Sequence, residues 1–158
     1  MANRLSQVAI WKAVAKKLHE EYKCTVYSDE VLEDFTMPCF FVKLLMSSEM
    51  QTKNFIKRNV TIIATYFPSS EDKDEEHYLT VFDKFLILFQ MGFPVGDRYL
   101  YVDDIQQDRV GEEDDILQIT MDITFMDTTG RIEKMEEEGV MMGDVSLTVE
   151  VEDKQWLN

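Results

Sequence analysis

Between positions 117 and 125 apolar residues take every second place, Leu117, Ile119, Met121, Ile123 and Phe125, with Gln118, Thr120, Asp122 and Thr124 between them. Successive side chains of a strand point to opposite faces, so this pattern predicts a strand with one core face and one polar face. The alternation returns at Val145, Leu147, Val149 and Val151, set against Ser146, Thr148 and Glu150, and predicts a half-buried strand at 145–151. The β-branched residues Val60, Thr61, Ile62, Ile63 and Thr65 predict a long strand over 55–67. Residues 39–46 are apolar except for Lys43, which suggests a strand covered on both faces, paired with the former as a hairpin through a turn near 51–54. A short strand at 24–27, and strands at 99–106 and 115–127 joined across 107–114 with Gly111 as the turn residue, complete the set.

Two stretches carry helical spacing instead. Leu5, Val8, Trp11, Ala15, Leu18 and Tyr22 recur at intervals of three and four across residues 4–22, with Asn3 as the N-cap candidate. Lys12, Lys16, Lys17, Glu20 and Glu21 fall mostly off that stripe. After Pro68, Ser69 and Ser70, the acids Glu71, Asp72, Asp74, Glu75 and Glu76 lie where a helix macrodipole favours negative charge. Tyr78, Leu79, Val81, Phe82, Phe85, Leu86, Leu88 and Phe89 then predict a wide buried face, ended by Gly92 and Pro94. The order points to an α+β protein, a mostly antiparallel sheet with two helices packed on it, in a single domain spanning 1–158. Residues 130–143 hold Gly130, Gly139, Gly143 and the acidic run 136–138, and are expected to form a mobile loop.

Charge excludes one class of partner. The 158 residues include 16 Lys and Arg against 31 Asp and Glu, a net of -15, which argues against holding nucleic acid by neutralising its phosphates. No run approaches about 20 apolar residues and the first seven lack the apolar core of a secretion signal, so a soluble protein inside a cell, without a membrane partner, is expected. Cys24 and Cys39 read as small buried hydrophobes, and His19 and His77 as solvated surface residues. The acids near His77 share one helical turn and cannot converge on a metal ion. Phosphate-cradling glycine loops and the GxSxG and HExxH motifs are missing from the sequence. The adjacent Asp103 and Asp104 should point to opposite faces of a strand and could not cooperate as an acid and base. No enzyme, metal or cofactor is expected.

The charge is unevenly placed. Through Val102 the chain has 12 basic and 14 acidic residues, a net of -2; the remainder has 4 and 17, a net of -13. Within that remainder Glu112, Glu113, Asp114 and Asp115 form either a solvated turn or a surface that keeps a passing polyanion from sticking. Met135, Met141 and Met142 lie in a polar stretch, where they could form a local apolar cluster or a surface that repacks against a partner.

Residues 10–45, IWKAVAKKLHEEYKCTVYSDEVLEDFTMPCFFVKLL, combine a helix, a short strand, an acidic connection and a PCFFV-type strand. The pattern resumes at 57–70, KRNVTIIATYFPSS, and around the paired strands of 96–125. In order and character these segments resemble the small tail-terminator, or tail-completion, proteins of phages and prophages of Gram-positive bacteria. That resemblance implies a structural protein of the virion tail, made in the host bacterial cytoplasm, without catalytic residues. It implies a ring, commonly a hexamer, on the head-proximal end of the tail tube, where it stops polymerisation and offers a surface to the head. The expected partners are then further copies of the chain, the tail tube protein and a head-side connector protein. On this view Glu112, Glu113, Asp114 and Asp115 face the channel, and Met135, Met141, Met142, Val145, Leu147, Val149 and Val151 meet partners or neighbouring subunits. A different class stays open, a small-molecule or peptide binding module with a pocket between sheet and helices. Oligomeric state separates the two.

Overall fold

A computed structural model describes residues 4–28 and 36–130. Asn3, the three methionines Met135, Met141 and Met142, the rest of the expected 130–143 loop beyond Gly130 and the 145–151 strand lie outside the described residues. The described residues form two compact units, one drawn from residues 5–48 with Arg58–Phe125, the other containing Arg4, Glu49–Lys57 and residues 126–130.

The elements follow in order as α1 (Gln7–Tyr22), β1 (Thr25–Tyr27), β2 (Cys39–Met50), β3 (Phe55–Phe67), one 3-10 turn (Ser70–Asp72), α2 (Glu75–Phe89), β4 (Phe93–Val95), β5 (Arg98–Leu100), β6 (Val102–Val110) and β7 (Ile116–Thr128). Five strands make one sheet in the order β1, β2, β3, β7, β6. β1 runs parallel to β2 with Thr25 opposite Cys39, and β6 antiparallel to β7 with Val110 opposite Ile116. β4 and β5 form a separate antiparallel pair. The fold is α+β with a mostly antiparallel sheet and two helices.

In the larger unit strand alternation decides what is inside. β3 buries Val60, Ile62, Ala64 and Tyr66, and β7 buries Leu117, Ile119, Met121 and Ile123. These meet Ile10, Val14 and Leu18 of α1 and Tyr78, Val81, Phe85 and Phe89 of α2 in one core, so both helices lie on the same face. Each fully buried aliphatic or aromatic side chain contributes about 1.5–3 kcal/mol relative to exposure. On the opposite face polar side chains link β3 to β7: Thr61 Oγ1 donates to Asp122 Oδ1 at 2.9 Å and Thr124 Oγ1 to Asn59 Oδ1 at 3.2 Å. The same face carries an aromatic row, with Phe41 5.3 Å from both Tyr27 and Phe67 between ring centroids.

Several local expectations are corrected. α1 starts at Gln7, capped by Ser6, whose Oγ accepts from the Ala9 N–H at 3.0 Å. Its buried row is Ile10, Val14 and Leu18, while Val8 is 61% exposed. Trp11 stays at the rim because its indole N–H needs a partner, the Val42 carbonyl at 2.8 Å. β2 is covered on both faces only at its start; Lys43 and Leu45 are exposed and the strand continues to Met50. α2 begins at Glu75, the acids Glu71 and Asp72 occupy the preceding 3-10 turn, and its buried stripe is narrow, with Leu79 exposed. The strand expected at 99–106 divides into β5 and the first part of β6. The passage from α2 into β4 depends on Gly92, at φ +97°, whose missing Cβ leaves room for the Leu100 carbonyl of β5.

Candidate functional site

The acidic turn between β6 and β7 is built by two left-handed residues, Gly111 at φ 95° and Asp114 at φ 55°. Asp tolerates this conformation better than most side chains. Glu112, Glu113 and Asp114 are exposed, whereas Asp115 is half-buried. Lys73 Nζ lies 3.1 Å from Asp115 Oδ2, and the Tyr78 hydroxyl donates to the Asp115 carbonyl at 2.6 Å. Arg109 stacks on the Tyr78 ring, 4.2 Å from its centroid, and pairs with Glu75 at 3.0 Å. Burial first, then the Asp115 carboxylate, push the Tyr78 phenol above its ordinary value, while Arg109 and Lys73 pull it down. The four acids thus do not act alike: one is tied to the start of α2 and three project from the turn.

The other residues singled out from sequence fall as follows. Cys24 and Cys39 are free and buried, and burial pushes both thiols up to about 11, so neither is a ready nucleophile at neutral pH. His77 is not a solvated surface residue. It is half-buried, and its Nε2 shares a 2.8 Å hydrogen bond with the Tyr66 hydroxyl, with the two rings 5.7 Å apart between centroids. His19 is exposed and bonds through Nδ1 to the Cys24 carbonyl at 2.9 Å. Asp103 and Asp104 are both exposed, beside an irregularity in the β6–β7 register, so simple strand alternation does not separate them. Among the described residues no group of three or more His, Cys, Asp or Glu could hold a metal ion, and no helix is long and apolar enough to cross a membrane.

Two charged residues, Arg58 and Asp127, are buried among the described ones and escaped the sequence reading. Arg58 is 3% exposed; Nη1 donates to the Leu5 carbonyl at 2.7 Å, Nη2 reaches Met46 Sδ at 2.7 Å, and the guanidinium lies 5.5 Å from the Phe125 ring centroid. The signal was present: Arg58 shares the parity of Val60 and Ile62 on β3 and so had to point inward.

A family model described as phage tail terminator protein matches residues 9–135, well over half of the chain. The chain belongs to the phage tail terminator family. No curated protein matches it. Membership makes it a structural component of the phage tail, acting in tail assembly. For a tail terminator the surfaces matter more than any cleft, and the larger unit displays several. Ile87 in the last turn of α2 and Met91 just beyond the helix are 74% and 75% exposed. Tyr99 and Tyr101 are exposed with rings 5.2 Å apart. In the smaller unit the β2–β3 hairpin tip is fastened to the end of β7, with the Thr129 N–H donating to the Asn54 carbonyl at 3.0 Å and Thr129 Oγ1 to the Lys53 carbonyl at 3.0 Å. Met50, Phe55 and Met126 are exposed in that unit.

Proposed function

We propose that this tail terminator is a ring-forming cap, set at six copies, that ends growth of the tail tube and presents a docking surface to the head. The observation that carries the reading is the family match over 9–135. The exposed apolar side chains of both units support it, since a chain that works by assembly must offer surfaces to partners. Its partners are copies of itself, the tail tube protein on one side and a head-side connector on the other. In this reading Glu112, Glu113, Asp114 and Asp115 border the channel, where Lys73 and Tyr78 fix the base of the turn and the exposed acids repel DNA. Met135, Met141, Met142, Val145, Leu147, Val149 and Val151 serve contacts with partners and neighbours. Assembly takes place in the host cytoplasm, in a phage of Gram-positive bacteria.

Light scattering over a range of protein concentrations tests the ring. The expected particle is six times the 18.6 kDa chain mass. A monomer at every concentration contradicts a self-assembling ring.

A further inference from the structure

β1 pairs with β2 only from Cys39 to Phe41, and no other described strand lies on that side of β2. β2 nevertheless continues to Met50. Residues 42–48 therefore present an edge of backbone N–H and C=O groups. The bond from Trp11 to the Val42 carbonyl marks Val42, and by the two-residue repeat Leu44 and Met46, as residues whose backbone groups point outward. Beside this edge runs an open groove lined by Val8 and Trp11 of α1 and by Val42 and Leu44. The opposite margin of the sheet is blunted: β6 has a register shift between Val102 and Asp104 and exposes Asp103, Asp104 and Asp108. Among the described residues, 42–48 show no such irregularity and carry one charge, Lys43, with Trp11 meeting the edge at the Val42 carbonyl.

We infer that the open edge of β2 receives residues 145–151 of a second copy of the chain as an added strand. The inference rests on the ring reading and supplies its contact. The alternation of the donor sets Val145, Leu147, Val149 and Val151 toward the groove of Val8, Trp11 and Leu44. Ser146, Thr148 and Glu150 then fall on the face of the exposed Lys43, with Glu152 next in the same row, so charge as well as apolar area is complementary. β6 of a neighbour would also bring acids, but its irregular register makes it the poorer strand to add. Fourteen residues separate Gly130 from Val145 and can span about 46 Å when extended, a reach sufficient for a neighbouring subunit. Donor and acceptor are different surfaces, so the contact is heterologous, the type that closes into rings.

Cross-linking of full-length chains tests this. Chains with Ser47→Cys, on the exposed face of the acceptor edge, are mixed with chains carrying Ser146→Cys, Thr148→Cys or Glu150→Cys in turn and mildly oxidised, while light scattering follows assembly. The expected result is a ring of wild-type mass and, in at least one mixture, an inter-chain disulfide at least tenfold more abundant than in either variant alone. A normal ring with no such link in all three mixtures overturns the inference and leaves the ring reading standing. A monomer at every concentration overturns both. In doubly substituted chains, a link confined within single chains makes the occupant the chain's own strand and also overturns the inference.

Discussion

Arg58 shows what one side chain can do inside this sheet. Its guanidinium satisfies the Leu5 carbonyl and the Met46 sulfur within the larger unit, so truncation leaves a buried acceptor without its donor. Arg58→Ala should destabilise the protein by about 3 kcal/mol, read as a lower urea midpoint with an unchanged slope. The buried thiols give a second prediction. Burial raises Cys24 and Cys39 from 9.0 to about 11, and Tyr66 from 10.0 to about 12. A folded-state value above the unfolded one means that this stability is complete below pH 9 and is lost as pH rises through 11. Urea midpoints should therefore fall between pH 9 and 11, and less steeply in Cys24→Ala/Cys39→Ala than in the parent. Equal pH slopes in the two proteins would show that the thiols carry none of the effect.

At the scale of elements, strong period-two patterns were legible and junctions were not. β3 and β7 stand where alternation and β-branching placed them, and the hairpin of β2 with β3 follows from their proximity in sequence. The N-terminal helix was misread because two apolar rows lie side by side on it, and packing chose Ile10, Val14 and Leu18 over the row through Val8. Ser6 could have been found as the cap, since it precedes the first helical turn and its hydroxyl reaches Ala9. Ser6→Ala should cost about 1 kcal/mol in thermal or urea unfolding. The small β4–β5 pair was missed because it is three residues a side, too short for a period to show. Its dependence on Gly92 is specific. Gly92→Ala meets the Leu100 backbone in addition to an unfavourable positive φ, and a loss of at least about 2 kcal/mol is expected.

For the whole molecule the family was legible from the order and character of segments, and the match over 9–135 agrees with it. The acidic turn was also legible, but the role of Asp115 was not, because Lys73 and Tyr78 reach it from 42 and 37 positions away in sequence. In the proposed ring, the concentration of charge after Val102, -13 against -2, would act on the assembled particle rather than on the single chain. Replacing Glu112, Glu113 and Asp114 with lysine, and leaving Asp115 on Lys73, should preserve the fold while making the proposed ring bind DNA in a salt-sensitive manner. A filter-binding assay at low and moderate salt checks it, and a lysine ring indifferent to DNA at low salt would move these residues to the outer rim. The central claim is the capping of a growing tube, and tube length measures it most directly. With purified tail tube protein polymerising in vitro and lengths scored by electron microscopy, adding this protein should halt elongation, with rings at tube ends; tubes that lengthen equally with and without it would contradict the account.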